Sequence, residues 1–131
     1  MNHEVALIGK VALVTGASRG IGLAISRRLG QLGARVSICA RNSAHLAEAA
    51  ASLRGEGVEL LAFETDVTQS ARIDSMVSET QRTWGGIDIL VNNAGIGIFG
   101  PFQERDEADW DAVLNTNLKS AFLVSRAVAP T

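Results

Sequence analysis

Tyrosine is absent from the 131 residues, cysteine occurs once and proline only twice. The single cysteine, Cys39, cannot form an internal disulfide, so nothing indicates an oxidising compartment and we expect a cytoplasmic protein. No apolar run approaches the ~20 residues that a membrane helix needs. The first residues, Met-Asn-His-Glu, also lack the basic start of a secretory signal. We therefore predict no membrane partner.

An excess of positive charge is also missing. Twelve basic residues stand against 14 acidic ones, and the net charge is −2. The arginines are spread along the chain, whereas a nucleic-acid-binding surface needs a cluster of cations, so we predict no nucleic-acid partner. The only histidines are His3 and His45, and we interpret His45 as a surface residue of its helix. We predict no metal site.

Short apolar runs alternate with longer stretches of helical periodicity. This alternation is typical of βαβ units around a parallel sheet, so we predict an α/β fold with a doubly wound parallel sheet, formed by residues 1–131 as one domain. Strands are predicted over 11–15, 35–40, 59–64 and 87–92. Helices are predicted over 21–32, from Asn42 or Ser43 to 54, through 73 to 84, and over 106–128.

Two of these helices carry a predicted core-facing stripe. In the first helix the stripe consists of Ile21, Ala24, Ile25 and Leu29. In the last helix it consists of Trp110, Val113, Leu114, Leu118, Ala121 and Val128. Both sets follow the helical repeat of about 3.6 residues.

A glycine-rich turn, Thr15–Gly22, joins the first strand to the first helix. The free N–H groups and the positive dipole end of a helix that starts there can bind a pyrophosphate. We expect Gly16 to permit the tight turn, Gly20 to let the backbone approach a phosphate, and Gly22 to let the helix pack closely on the strand. An ordinary tight turn is the alternative, since a glycine triplet alone is a weak signal.

A basic residue stands where an acidic one commonly holds the ribose 2′-hydroxyl of NAD. Ala40-Arg41 ends the second strand, and Arg19 in the glycine turn adds a cation on the same side. Because a guanidinium can pair with a 2′-phosphate through two hydrogen bonds, these residues favour NADP(H) over NAD(H). The alternative is that Arg41 is a solvated residue at the end of its strand.

Three further positions have both a structural and a functional interpretation. Asp66-Val67 follows the third strand, where it either caps the next helix or contacts an adenine edge. Asn92–Gly95 closes the fourth strand, and its small residues leave room for a flat ligand. Asn117 falls on the predicted apolar side of the last helix, where a buried amide needs hydrogen-bond partners. It is either a satisfied core asparagine or a functional residue.

These segments together, in this order and at these strand ends, resemble the short-chain dehydrogenase/reductase family over essentially the whole chain. Through Ala17–Gly22 and Arg41 the chain is most similar to the 3-oxoacyl-carrier-protein reductases and related NADP-dependent branches. The resemblance implies a Rossmann fold, NADP(H), a small carbonyl or alcohol substrate, and a homo-oligomer formed partly through the last helix. It also implies that Asn117 matches the family's catalytic asparagine, which anchors a water linking the active-site lysine to solvent.

The resemblance implies a role for each candidate cofactor residue. Those around the diphosphate are Gly16, Ser18, Arg19, Gly20 and Ile21, with Gly22 completing the motif, while Arg41 faces the 2′-phosphate, Asp66 and Val67 the adenine, and Asn93, Ala94 and Gly95 the riboses.

The family's catalytic serine and its Tyr-x-x-x-Lys element have no counterpart in these residues. We therefore expect the first part of an oxidoreductase, truncated after the fourth strand and the following helix, and inactive alone. The fourth strand is then expected to be a sheet edge. Another possibility is a non-catalytic nucleotide-binding or interaction module. A methyltransferase-like domain is disfavoured by the glycine spacing and by the Asn-Asn-Ala-Gly loop.

Overall fold

The computed structural model describes residues 6–131, and His3 lies outside them. The strands are β1 (Val11–Thr15), β2 (Arg35–Ala40), β3 (Leu60–Glu64) and β4 (Ile89–Val91). The helices are α1 (Gly20–Gln31), α2 (Ser43–Gly55), α3 (Ser70–Trp84), α4 (Glu107–Leu114) and α5 (Ser120–Val128). A 3₁₀ turn spans Phe102–Glu104, and a π-helical segment, Asn115–Lys119, joins α4 to α5. None of the described helices is long and apolar enough to cross a membrane.

The four strands form a parallel sheet in the order β3-β2-β1-β4. The chain adds β2 and β3 on one side of β1 and then crosses back to place β4 on the other side. This is the predicted doubly wound topology, and it makes β4 an edge of the described sheet. The winding changes direction at β1, so the ends of β1, β2 and β4 lie side by side, and ligands of such sheets bind there.

Two apolar layers enclose the sheet because side chains alternate along the strands. On one face, Val36 and Ile38 of β2 pack with Leu53 of α2. On the other face, Leu13 of β1 packs with Met76 of α3. All five side chains are almost completely buried, which stabilises the fold by about 1.5–3 kcal/mol for each large one.

Several element ends follow from local chemistry. The side chain of Asn42 accepts a hydrogen bond of 2.9 Å from the His45 N–H and caps α2, as predicted. Gly33 follows α1 with φ +98°, and Gly85 ends α3 with φ +89°. Both are left-handed conformations that favour glycine, so α1 and α3 end close to their predicted positions.

The last helix differs from the prediction of one regular helix over 106–128. Because the π-helical segment contains an extra residue in its turn, it rotates the positions that follow relative to a 3.6-residue repeat. The buried positions are Thr116, Ser120, Leu123, Val124 and Val128. The predicted core-facing stripe is wrong in part, since Leu118 within this segment is 66% exposed and Trp110, which precedes it, is 65% exposed.

The predicted stripe of α1 is also wrong in part. Ile21 is 73% exposed, whereas Gly22 and Ser26 are buried against the sheet. The helix approaches the end of β1 so closely that a Cβ atom at position 22 would lie 2.4 Å from the Gly16 carbonyl oxygen. Small residues therefore face the sheet in the first turns of α1, and the large Ile21 side chain points outward.

Candidate functional site

A cleft of about 450 Å³ opens at the carboxyl ends of the strands. The turn after β1, the start of α2 and the segments after β3 and β4 all contribute to its walls. The lining residues are Gly16, Ser18, Arg19, Cys39, Ala40, Arg41, Asn42, His45, Thr65, Val67, Asn93, Ala94, Gly95, Ile96 and Thr116. The cleft lies at the place where a doubly wound sheet binds its ligand.

The glycine turn has the backbone geometry that its glycines were expected to permit. Gly16 and Gly20 have φ +63° and φ +59°, in the left-handed region. A Cβ atom at Gly16 would lie 2.8 Å from the Ala94 Cα. At Gly20 a Cβ atom would project into open space, with no heavy atom within 4 Å. The turn at Gly20 is thus open to an approaching ligand, while Gly16 lies tightly against the loop after β4.

Hydrogen bonds join the two walls of the cleft. The Thr15 hydroxyl oxygen accepts from the backbone N–H groups of Asn93 and Ala94, each at 3.0 Å. The Asn93 amide nitrogen donates to the Gly16 carbonyl at 3.0 Å. The neighbouring Asn92 instead donates to the Ser125 hydroxyl at 3.1 Å. Asn93 and Thr15 therefore hold the glycine turn against the β4 loop, and Asn92 holds that loop to α5.

The two arginines at this end of the sheet are available for an anionic ligand. Arg19 and Arg41 both line the cleft, and within residues 6–131 neither forms an ion pair with a carboxylate. None of the described lining residues is acidic. The cleft is therefore positively charged in a chain whose net charge is −2.

Asp66 lies beside the cleft and fixes a turn. One carboxylate oxygen accepts from the Thr68 N–H at 2.9 Å and from the Thr68 hydroxyl at 2.7 Å. The Thr68 hydroxyl bond holds the pKa of Asp66 below its usual value, with a smaller contribution from the positive charge of Arg41. Asp66 does not cap α3 itself, since Gln69 occupies the cap position. With Arg41 it lines an adjacent depression of about 200 Å³.

The predicted site residues divide into four groups. Those that line the main cleft are Gly16, Ser18, Arg19, Arg41, Val67, Asn93, Ala94 and Gly95. Asp66 lines the adjacent depression. Gly20, Ile21 and Gly22 form the glycine turn and the start of α1 without lining the cleft, and Asn117 lies behind the β4 loop.

Asn117 is not buried in the apolar core, so its predicted place on an apolar helix face is wrong. It lies in the π-helical segment, and its amide bonds both backbone groups of Ile96: Oδ1 accepts from the N–H at 2.8 Å and Nδ2 donates to the carbonyl at 2.9 Å. Ile96 lines the cleft. The Asn117 side chain therefore positions the β4 loop.

Sequence reasoning missed several lining residues. They are Cys39, Ala40, Asn42, His45, Thr65, Ile96 and Thr116. Most of them adjoin a strand end, which was an available signal. His45 and Thr116 come from helices, and His45 is a partly exposed residue of α2 that also lines the cleft. Burial raises the pKa of the Cys39 thiol to about 12, so this cleft residue is uncharged.

The family model for short chain dehydrogenases matches residues 10–131. The chain belongs to this family. The match confirms the resemblance drawn from the glycine turn and the strand-end loops, and the parallel sheet has the expected Rossmann-like form.

Within residues 6–131 no group of three or more histidine, cysteine or acidic side chains could hold a metal ion.

Relatives in the short-chain dehydrogenase family share much of the sequence. A putative ketoacyl reductase of granaticin polyketide synthase from Streptomyces violaceoruber is 47% identical over 118 residues, which are 90% of this chain and 43% of that protein. Gluconate 5-dehydrogenase of Gluconobacter oxydans is 42% identical over 94% of this chain and 48% of its own length.

A solved structure is similar as well. A metagenomic short-chain oxidoreductase in complex with NADP superimposes with a TM-score of 0.88 at 44% identity, over 95% of this chain and 57% of that one. The chain thus spans about half the length of the relatives that it matches.

Proposed function

We propose that this chain is the cofactor-binding part of an NADP(H)-dependent oxidoreductase that transfers hydride between nicotinamide and a carbonyl or secondary alcohol. The observation that carries the proposal is the positively charged cleft, with Arg19 and Arg41 free of ion pairs within residues 6–131. NADP(H) differs from NAD(H) by a 2′-phosphate, which a guanidinium binds well.

The residues of the cleft fit this cofactor. The left-handed turn at Gly20, with open space beside its Cα, lets a diphosphate approach the backbone. Around it we place Gly16, Ser18, Arg19 and Ile21, with Gly22 holding α1 against the turn. We place Arg41 at the 2′-phosphate, Asp66 and Val67 at the adenine, and Asn93, Ala94 and Gly95 along the riboses. When bound, the nicotinamide supplies or accepts the hydride.

The similar proteins support a substrate class. The granaticin relative is described as a ketoacyl reductase, and the Gluconobacter relative as a gluconate 5-dehydrogenase. Both descriptions concern the interconversion of a carbonyl and a secondary alcohol. We therefore propose a small-molecule carbonyl or alcohol substrate, with a ketoacyl compound as the first to test.

Proton transfer needs groups that these residues do not contain. No tyrosine occurs in the 131 residues, so they hold no Tyr-x-x-x-Lys element. Asn117 is the proposed catalytic asparagine, and its side chain is already engaged with Ile96. We expect this chain alone to bind NADPH without reducing a ketone. The second candidate is a non-catalytic nucleotide-binding module, and ketone reduction by the protein that contains this chain would exclude it.

Coenzyme titration tests the proposal directly. We expect NADPH to quench or shift the protein fluorescence at lower concentration than NADH. Arg41→Gln should weaken NADPH binding about tenfold, the size of one lost charge-assisted hydrogen bond, and leave NADH binding unchanged. Arg82→Gln is the control, because Arg82 is an exposed cation on α3 that pairs with Glu79. Equal affinity of the unaltered protein for the two coenzymes would contradict the NADP(H) proposal.

The exposed side of α4 and α5 supports a homo-oligomer. Trp110, Leu114, Leu118 and Phe122 recur every four residues and are exposed. Monomers rarely expose an apolar stripe of this kind, so we propose that a second copy covers it. Light scattering should show a mass above that of one chain, and Leu118→Glu should lower it. A concentration-independent monomer would overturn this assignment.

The proposed setting is the cytoplasm. The single cysteine is buried and has no disulfide partner within the chain, which suits a reducing compartment. Cell fractionation with an antibody against this chain tests the location, and recovery only from an extracytoplasmic fraction would contradict it.

A further inference from the structure

Exposed side chains recur every four residues along the last part of the chain. They are Asp106, Trp110, Leu114, Leu118, Phe122 and Arg126, and we call them the α4–α5 stripe. From either end, the stripe presents a charged residue, then an aromatic one, then a leucine. The two end charges have opposite signs. A surface of this kind is complementary to itself when a second copy is turned end to end.

We propose that a second copy of this chain packs antiparallel on the α4–α5 stripe, in the register that pairs Asp106 of each copy with Arg126 of the other, and that this contact strengthens coenzyme binding. The apolar side chains then lie between the two charge pairs, with aromatic against aromatic and leucine against leucine. The inference rests on the proposed homo-oligomer and coenzyme site, and it names the residues that link them.

The helix α4 has little support from the rest of the domain. No residue of α4 is buried, and its main contacts are with the π-helical segment that directly follows it. The Trp110 side chain of α4 and the Phe122 side chain of α5 are both more than half exposed. Because apolar side chains grouped in this way mark an interaction surface, a partner is expected to cover them.

The π-helical segment keeps the stripe close to one face. A repeat of four residues overruns a regular helical turn by about 40° at each step, because each residue of an α-helix turns the chain by about 100°. The π-helical turn contains more residues, so it offsets part of this overrun in the middle of the stripe. The stripe therefore follows α4 and α5 over about 30 Å.

Charge decides between the two directions in which the copies could pack. Residues 106–111 contain four acidic side chains and no basic one, whereas residues 112–131 contain two basic side chains and no acidic one. Antiparallel packing brings the acidic part of each copy against the basic part of the other. Parallel packing would bring like charges together, so the charges favour the antiparallel direction.

The two end charges are available for this contact. The Arg126 guanidinium lies 5.0 Å from the centroid of the Phe122 ring, which keeps it beside the stripe. One Asp106 carboxylate oxygen caps α4 by accepting from the Asp109 N–H at 2.8 Å, and the second oxygen is left for a partner. Among residues 6–131 neither Asp106 nor Arg126 forms an ion pair.

The middle of the stripe adjoins the cleft. Thr116 of the π-helical segment lines the cleft, and the Asn117 side chain bonds both backbone groups of Ile96 in the loop after β4. A second copy that packs on Leu114 and Leu118 therefore steadies the helical turn from which Asn117 positions the cleft wall. By linkage, association and coenzyme binding then strengthen each other by the same factor.

Charge reversal at the two ends tests the register. Asp106→Arg and Arg126→Asp each place like charges in both end contacts, so each should raise the dimer dissociation constant about tenfold in sedimentation equilibrium at low salt. An equimolar mixture of the two variants pairs opposite charges at both ends and should recover the dissociation constant of the unaltered protein. Glu48→Arg and Arg82→Asp are the matched reversals at exposed positions outside the stripe, and neither should change association.

A further variant separates the charge of Asp106 from its helix cap. Asparagine caps a helix about as well as aspartate does, so Asp106→Asn should retain the helix content measured by circular dichroism and still weaken association. Unimpaired association of Asp106→Asn would assign the effect of Asp106→Arg to the lost cap and overturn the charge pair. Recovery of dimers in the mixture shows at the same time that both reversed variants are folded.

Fluorescence titration with NADPH tests the link to the cleft. At a concentration at which Arg126→Asp is monomeric and the unaltered protein is dimeric, we expect the variant to bind NADPH about fivefold more weakly. The mixture with Asp106→Arg should recover the affinity. Arg126 lies outside the cleft lining, so a direct loss of a coenzyme contact does not explain such a change.

The outcomes separate this inference from the proposed function. If the unaltered protein is a monomer, the homo-oligomer and the register both fail. If it forms dimers that the reversals do not weaken, or that the mixture does not recover, the register is overturned and the homo-oligomer stands. If monomer and dimer bind NADPH equally, the link to the cleft is overturned and the NADP(H) function stands. If NADPH does not bind at all, that function fails with the link, and the mixture still decides the register.

Discussion

The side-chain amide of Asn117 makes both hydrogen bonds that the backbone of Ile96 can offer, at 2.8 Å and 2.9 Å. The contact joins the π-helical segment to the loop after β4, across 21 residues of chain. Since Ile96 lines the cleft, the π-helical segment helps to fix the position of one wall of the site. π-Helical turns are frequent at functional sites for this kind of reason.

Removal of this amide should loosen the β4 loop. We expect Asn117→Ala to lower the free energy of unfolding by about 1–2 kcal/mol, for two lost hydrogen bonds, and to weaken NADPH binding. Asn115→Ala is the control, because Asn115 is an exposed asparagine in the same π-helical segment. Urea unfolding and coenzyme titration measure both effects. Equal losses in the two variants would refute a specific role for the Asn117 contact.

The close packing of α1 predicts opposite effects at two glycines. Gly22→Ala places a Cβ atom 2.4 Å from the Gly16 carbonyl oxygen, and we expect a destabilisation of about 1–3 kcal/mol with loss of NADPH binding. Gly55→Ala meets no atom within 4 Å and should stabilise the protein by about 0.4–1 kcal/mol. Thermal unfolding of the two variants should show a lower melting temperature for Gly22→Ala and a higher one for Gly55→Ala. A neutral Gly22→Ala variant would show that the helix can move away from the turn.

The buried Cys39 thiol predicts that the free energy of unfolding depends on pH under alkaline conditions. The folded pKa of Cys39 is about 12, above the usual 8.5 of an unfolded cysteine, so the unfolded chain binds fewer protons between these values. The contribution of Cys39 to stability is therefore lost progressively as pH rises above about 8.5. Cys39→Ala should reduce the slope of unfolding free energy against pH in this range.

The same burial predicts slow chemical modification. Iodoacetamide at pH 8 should label native Cys39 far more slowly than the urea-unfolded chain, because the thiolate is the reactive form. As the chain has no other cysteine, the mass increase reports this one site. Rapid labelling of the native protein would contradict the buried position.

The turn at Asp66 predicts that the free energy of unfolding depends on pH under acidic conditions. The pKa of Asp66 is lowered mainly by the Thr68 hydroxyl, so its contribution to stability is complete above the unfolded pKa and is lost as pH falls through the folded one. Thr68→Val should raise the Asp66 pKa towards its usual value and shrink this acid dependence. Thr83→Val is the exposed control, since the Thr83 hydroxyl bonds only the Glu79 carbonyl. An NMR titration that shows the same Asp66 pKa in both variants would count against the hydroxyl as the cause.

Much of the fold was predictable because it follows from local patterns. The bounds of β1 and β2 agree with the prediction, since both strands are apolar runs between turn signals. Asn42 is one of the two predicted candidates for the cap of α2, and Gly85 is at the predicted end of α3, because each acts on its own neighbours. The predicted repeat of 3.6 residues does not hold over 115–119. There the chain forms a π-helical turn, whose Asn117 side chain hydrogen-bonds the distant loop after β4.

The strand-end part of the cleft was predictable for the same reason. Residues directly after a parallel strand must lie at one edge of the sheet, so Gly16, Arg41 and Asn93 could be placed together from the sequence. His45 and Thr116 could not, because helix residues reach the cleft only through the way that their helices pack.

By itself, the amino-acid sequence determined the strands, the glycine turn and the absence of a tyrosine that could act as the acid or base. These are properties of each residue and its near neighbours. The tertiary structure decided that β4 pairs with β1, that Thr15 and Asn93 join two walls, and that His45 faces the same space as Arg41. Such relationships join residues far apart in the chain, so they depend on how the layers pack.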